Sequence, residues 1–374
     1  MLLENELATS EVSFTTIKEI GADGKNSKVF KVRDEQLNII LAAKVLDGSE
    51  FENLDDYFRE AQLLERARHP NVLPVRYAGR EKDTGANTSD RNVYILTPFM
   101  ESGSLEQLMD RIEGEGRLLS VRDVVRIGLQ FLTGLAQLHL KEIVHFDAKP
   151  SNIFFDDTGM AVVADFGLAR QLNPTAATQL RHYGAHRAPE RYTYRRFTPE
   201  IDIYQAGLTL YRMVNGNAHF REQWQQFLSN GDIDDDKLQT ALSSASFPDR
   251  DRFLPHVPNR LRTVIKTALA VDPDERYRTV REMMNDLGRV DQYLDWAIQY
   301  DHHGREYKAT LYEPNRQHPR TRTIEAGQNG TIYDVKAFKT VSTRQRMRDW
   351  ETSSLDNFDA ALSHIQAQIR STDT

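Results

Sequence analysis

His145-Phe146-Asp147-Ala148-Lys149-Pro150-Ser151-Asn152, followed thirteen positions after Asn152 by Asp165-Phe166-Gly167, decides how the rest of the chain is read. The stretch combines two carboxylates, an ammonium group and a carboxamide in Asp147, Asp165, Lys149 and Asn152. Phosphoryl transfer from a nucleotide needs a carboxylate to orient the attacking hydroxyl, a cation on the moving phosphate and two oxygen ligands for magnesium. These four residues supply that set. A chain built for such chemistry carries further parts elsewhere.

Composition bounds the possibilities. With 374 residues, 39% of them hydrophobic, the chain is long enough for two or three compact domains with substantial cores. It has no cysteine, which excludes disulfides, thiolate zinc sites and thiol nucleophiles and fits a reducing, cytoplasmic compartment. No run approaches the roughly 18 uninterrupted apolar residues that span a bilayer, and Met1-Leu2-Leu3-Glu4-Asn5-Glu6 lacks the basic start of a secretory leader. No membrane partner is expected, and the net charge of -7 singles out no other.

Working outward, Ile20 to Val32 reads as strand, flexible turn and strand, with Gly21 and Gly24 in the turn region. Leu41-Ala42-Ala43-Lys44-Val45 reads as a half-buried strand carrying one lysine among apolar neighbours. From Leu54 to Ala67 the apolar residues Leu54, Tyr57, Ala61 and Leu64 fall on one helical stripe, with Glu60 beside it. Val93 to Thr97 reads as a buried strand, continuing through Pro98-Phe99-Met100 to Gly103-Ser104-Leu105. Glu81 to Asn92 is polar throughout, an exposed hairpin loop. Ser120 followed by Asp123 signals a helix start, and Val124, Ile127, Phe131, Leu135 and Leu138 continue its apolar face. After the opening stretch come Arg187-Ala188-Pro189-Glu190, then Asp202-Ile203-Tyr204-Gln205-Ala206-Gly207, then Arg276.

In this order the motifs resemble those of the eukaryotic-like serine/threonine protein kinases, over roughly Phe14 to Val290. The resemblance implies an α+β, bilobal protein kinase fold. Its N-lobe, an antiparallel sheet with one helix, would occupy 12–97, and its hinge and mostly helical C-lobe 98–290. It also implies ATP and Mg2+ as cofactors and a protein hydroxyl as acceptor. Lys149, two places after Asp147, is the serine/threonine form of the motif, and the compact, cysteine-free chain leans toward a prokaryotic type.

Residue by residue, the resemblance makes Asp147 the group that orients the acceptor, with Lys149 steadying developing charge. Asn152 and Asp165 become the magnesium ligands, and Lys44, held by Glu60, the phosphate anchor. The glycine-loop positions counted back from Val29 are Ala22, Gly24 and Ser27, with Gly21 one place early; the loop departs from the family pattern but keeps small residues. Thr97 becomes the gatekeeper, and the backbone of Pro98 and Met100 the adenine contact; Pro98 need offer only its carbonyl. His145 is expected as an internal packing residue, Asp202 as a tie to the 145–152 loop, and Arg276 as the buried partner of Glu190.

Two departures bear on regulation and docking. Phe146 stands where many kinases carry the arginine that pairs with an activation-segment phosphate, so such activation is not expected. Autophosphorylation at Thr175, Thr178 or Tyr183 stays open. His186 replaces the usual aromatic, and Arg181-His182 replaces the expected glycine-threonine, which obscures acceptor docking.

Residues 291–374 lie beyond the resemblance and read as a small strand-plus-helix module packed on the C-lobe. Strands are expected at Glu306–Leu311 and Thr331–Val341, and a helix with Leu355, Phe358, Leu362, Ile365 and Ile369 on one face after Ser353. Arg344, Arg346 and Arg348 alternate as a solvated strand edge does, so nucleic acid is not an expected partner. Adjacent His302 and His303 with His318 make a poor metal site, since neighbours on a strand point to opposite faces. Small-molecule kinases share the lysine, aspartate and magnesium logic but not the Ala-Pro-Glu closure. The alternative function is a pseudokinase or nucleotide-gated scaffold whose module binds an unidentified regulator.

Overall fold

A computed structural model describes residues 12–22, 27–46, 58–81, 92–167, 169–171, 184–192, 198–301, 305–314 and 318–373. The chain divides into two compact units, Met1–Glu101 and Ser102–Thr374.

The first unit is a five-stranded antiparallel sheet with one described helix. Its strands are β1 (Phe14–Ala22), β2 (Ser27–Asp34) and β3 (Ile39–Leu46), then, after helix α1 (Arg59–Arg66), β4 (Tyr77–Arg80) and β5 (Val93–Pro98), in the order β1-β2-β3-β5-β4. Alternation places Val32, Leu41, Ala43 and Leu96 on one face, where Phe14, Phe30, Tyr77 and Tyr94 pack against them. Helix α1 buries Ala61, Leu63 and Leu64. The earlier part of the helix expected from Leu54 lies outside the described residues, as do residues 82–91 of the expected hairpin loop. At the foot of that loop the Glu81 N–H donates to the Asn92 carbonyl at 2.9 Å.

The second unit is mostly helical up to residue 287. It runs through α2 (Leu105–Gly114), β6 (Arg117–Leu118), α3 (Val121–Leu140), β7 (Ile143–Val144), β8 (Ile153–Phe155), β9 (Ala161–Val163) and β10 (Arg170–Gln171). Then follow α4 (Glu200–Asn215), α5 (Asn217–Gln225), the short pair β11 (Leu228–Ser229) and β12 (Asp232–Ile233), α6 (Asp235–Ser243), α7 (Asn259–Ala268) and α8 (Val280–Leu287). Helix α3 starts where its sequence says, with Ser120 Oγ accepting the Asp123 N–H at 3.1 Å. Every residue of α4 from Ile201 to Asn215 is buried, which makes it the pillar of the unit. Gly207 lets α7 come close, for a Cβ there would lie 2.6 Å from that of Ala268. Among the described residues no helix is long and apolar enough to cross a membrane.

Residues beyond 290 continue the second unit. Strands β13 (Trp296–Asp301), β14 (Glu306–Glu313), β15 (Arg320–Asn329), β16 (Ile332–Thr340) and β17 (Arg344–Arg346) form an antiparallel sheet, with β18 (Thr352–Leu355) also on β16 and helix α9 (Phe358–Arg370) following. The sheet extends into the helical part, because β6 pairs with β13 through Leu118 with Ile298 and Arg117 with Gln299. Arg122 and Asp295 add a bidentate ion pair at 2.7 and 2.9 Å. Trp296, Ile298, Tyr307, Ala309, Ile324, Ala326, Tyr333, Val335 and Ala337 line the buried face.

Two expectations for this region need correction. Leu355 is not on the final helix but ends β18; the helix begins at Phe358, where Asn357 Oδ1 accepts the Ala360 N–H at 2.9 Å and so supplies the cap that Ser353 does not. Arg348 leaves the strand for a short 3-10 turn. Arg344 faces Glu325 at 3.5 Å and Arg346 faces Glu351 at 2.6 Å, so carboxylates already neutralise the edge arginines.

Candidate active site

The residues of the opening stretch converge on α4. Asp202, buried in its first turn, accepts the His145 N–H through Oδ2 at 2.9 Å and the Phe146 N–H through Oδ1 at 2.7 Å. Oδ2 also meets His139 Nε2 at 2.8 Å. Burial works against the Asp202 charge, but the bond to His139 and the backbone amide together hold the carboxyl below its ordinary range. One turn on, Gln205 accepts the Ala148 N–H at 2.9 Å and donates to the Phe146 carbonyl at 2.8 Å. Thr209 Oγ1 donates to the Ala148 carbonyl at 3.2 Å. Asp202, Gln205 and Thr209 thus form one polar stripe along α4, and the stripe grips the backbone on both sides of Asp147.

That grip holds Phe146 at φ 65°, a left-handed conformation rare for a bulky residue. Asp147 is 7% exposed, and its Oδ2 receives Lys149 Nζ at 2.7 Å and Asn152 Nδ2 at 2.8 Å. Asn152 Nδ2 also donates to the Asp147 carbonyl at 3.0 Å. Burial raises the Asp147 pKa, opposed by the Lys149 ammonium. His145 is fully buried, as expected: its Nδ1 accepts the Asp147 N–H at 3.2 Å, which leaves Nε2 to donate to the Ala164 carbonyl at 3.0 Å. Asp165 follows directly with φ 63°, its Oδ1 accepting the Gly167 N–H at 3.2 Å.

Residues 14–287 match the protein kinase domain family. The chain belongs to that family. Its kinase domain is similar to bacterial relatives, among them "Serine/threonine-protein kinase PrkC" of Bacillus subtilis, 29% identical over 285 residues, which cover 73% of this chain and 40% of the relative. Another is "Probable serine/threonine-protein kinase PknB" of Lactococcus lactis, 29% identical over 283 residues, covering 73% of this chain and 41% of that one. The chain thus spans about two fifths of the length of these curated relatives.

The kinase domain closes as its sequence implied. Arg276 is fully buried and holds Glu190 through two bonds of 2.7 Å each, while its Nη1 also donates to the Glu200 carbonyl at 2.8 Å. In the first unit, the sheet register sets Gly21, Val29 and Lys44 in one cross-strand row. Thr97 and Pro98 end β5, half-buried, opposite Ala42 and Leu41. Just beyond Met100, Glu101 is tied to Lys31 on β2 at 2.8 Å, and the Lys31 ammonium lies 4.0 Å from the centre of the Phe99 ring.

Several expected positions are only partly described. Ser27 opens β2 and Glu60 lies on α1. Gly24, the segment holding Thr175, Thr178, Arg181, His182 and Tyr183, and His302 with His303 lie outside the described residues.

Gln205, Thr209 and His139 were not foreseen. For Gln205 and Thr209 the signal was polar residues spaced three and four apart from Asp202 along α4; His139, at the end of α3, carried none. Nor was the network behind His186 foreseen. Arg212 Nη1 meets His186 Nε2 at 2.9 Å, and its other nitrogens reach Asn217 Oδ1 at 2.8 and 3.0 Å and Glu106 at 2.6 Å.

Proposed function

We propose that the chain is a serine/threonine protein kinase that transfers the γ-phosphoryl group of ATP to a protein hydroxyl. The observation that carries this reading is the doubly held Asp147 carboxylate. With Oδ2 taken by Lys149 and Asn152, Oδ1 is left to orient the acceptor hydroxyl and receive its proton. Lys149 lies where charge develops on the transferring group. Lys44, with Glu60, positions the phosphates beneath the loop of Gly21, Gly24, Ser27 and Val29, while Thr97 and the backbone of Pro98 and Met100 take the adenine.

Asn152 and Asp165 fit magnesium. A carboxylate and an amide carbonyl are hard oxygen ligands, and Asn152, having committed its Nδ2 to Asp147, has Oδ1 to offer a metal. Magnesium, when bound, neutralises phosphate charge. The protein contributes position and charge rather than covalent chemistry. Lys44, Asp147, Lys149, Asn152 and Asp165 are all present, and no observation favours a scaffold instead. The cysteine-free composition supports a cytoplasmic place of work.

The test is transfer of labelled phosphate from ATP, with magnesium, to the chain itself and to casein. Label incorporated by the wild type and lost in Asp147→Ala is the expected result. Nucleotide binding without any transfer would overturn it.

A further inference from the structure

Resting on that reading, we infer that Gln205 is a positioning residue whose neutral carboxamide locks both peptide planes flanking Asp147 and ties them to residue 186. Its Oε1 accepts the Ala148 N–H at 2.9 Å, and its Nε2 donates to the Phe146 carbonyl at 2.8 Å and the His186 carbonyl at 3.3 Å. The Phe146 carbonyl belongs to the peptide plane before the Asp147 Cα, and the Ala148 N–H to the plane after it. Because peptides are planar, only φ and ψ of Asp147 separate the two, so a side chain bonded to both fixes the direction in which the Asp147 carboxylate leaves the backbone. The remaining groups of these planes are held from within the loop, the Asp147 N–H by His145 Nδ1 at 3.2 Å and the Asp147 carbonyl by Asn152 Nδ2 at 3.0 Å. Gln205 holds both planes from a helix.

The surroundings call for an amide rather than an acid. Three nitrogens converge on Asp202, and a carboxylate suits them. One N–H and two carbonyl oxygens converge on Gln205, and a neutral group with an acceptor and donors of its own answers all three. Gln205 is 2% exposed, so a carboxylate at 205 would set its charge against two carbonyls out of reach of water, and burial would push its pKa up. Once protonated, such a carboxyl offers one acceptor and one donor, enough for the Ala148 N–H and the Phe146 carbonyl but not for the His186 carbonyl as well. The bond to residue 186 carries the clamp into the segment that ends at Glu190, which Arg276 holds in turn.

Steady-state kinetics of the full chain with casein and ATP, counted per folded molecule, tests this with two variants. Gln205→Leu is expected to lower kcat about tenfold to a hundredfold while KM for ATP changes by less than about threefold, the pattern of a misplaced reacting group rather than lost nucleotide binding. Gln205→Glu is expected to be as poor as the Leu variant at pH 8.5 and to recover part of the wild-type rate as pH falls to 5.5 and the carboxyl regains its proton. The ionisable groups around the site are His145, Asp147 and Lys149 on the loop, Asp202 with its partner His139, and His186 with Arg212 beside it. All are shared with the wild type, so the quantity read is the ratio of variant to wild-type kcat at each pH. A residue needed only for stability would leave that ratio near one in the folded protein. If the Leu variant does not fold, the pH course of the Glu variant decides alone. Wild-type transfer with unchanged kcat in the variants, or a Glu ratio that stays flat with pH, overturns this inference alone. A wild type that transfers nothing overturns the kinase reading and this inference with it.

Discussion

Asp202 holds Phe146 in the left-handed region, its Oδ1 accepting the Phe146 N–H at 2.7 Å while the Phe146 φ is 65°. Non-glycine residues in such conformations cost about 1–3 kcal/mol and persist only where the surroundings over-determine them. Here the over-determination comes from one carboxylate with three donors. Asp202→Asn turns an amide N–H toward a donor. Because a misplacement near 1 Å can cost about a hundredfold in rate, kcat should fall about tenfold to a hundredfold with a smaller change in KM for ATP. Steady-state kinetics on a folded variant checks it.

The same carboxylate sets a pH dependence. Its folded pKa lies below the ordinary 3.8, so its stabilisation is present above that value and is lost as pH falls through the folded one. Wild-type unfolding free energy should therefore drop below about pH 4, and the Asp202→Asn variant should lack that part of the drop. Urea titrations at pH 3 to 7 on both proteins decide the matter; parallel curves would contradict it.

For Asp147 the balance is burial against Lys149. Lys149→Met removes the opposing charge, so the acidic limb of the kcat/KM profile should move to higher pH. The plateau should fall by about a hundredfold or more through the lost charge stabilisation. A limb that stays in place or moves down would mean that Lys149 does not tune Asp147.

Glu190 and Arg276 form a buried pair, so removing one partner leaves a charge unpaired. Glu190→Gln should cost about 3–5 kcal/mol in denaturant unfolding, while a double change to apolar residues should cost less than the two single changes added together.

Trp296 is 2% exposed at the start of β13. Trp296→Ala should destabilise by about 3–5 kcal/mol. Since β13 shares its sheet with β6, the loss should appear in the transition that also unfolds the helical part. Two separate calorimetric transitions, only one of them shifted, would refute that linkage.

How much of this the sequence disclosed depended on the length over which each signal repeats. Helix α3 announced itself through a cap and five apolar positions in register, and the 145–167 stretch through chemistry that few other residue sets perform. Strand β6 has two residues, too few for any period, and pairs with a strand about 180 positions away. In β13, Trp296, Ile298 and Tyr300 did alternate, but the pattern was too brief to stand out. Leu355 sat at helical spacing from Phe358 by coincidence, and only the Asn357 cap distinguishes the true start. Arg212 and His186 were legible as residues but not as a pair, because 26 positions separate them.

The join between β6 and β13 also governs what can be exchanged between proteins. A segment tethered by a bare linker can be cut out and grafted elsewhere as a cassette. One that completes its neighbour's sheet cannot. Chimeras that swap residues 291–374 for another tail would leave the N–H and C=O groups of Arg117 and Leu118 without their strand. The tail and the α2–α3 connection must therefore change together or not at all.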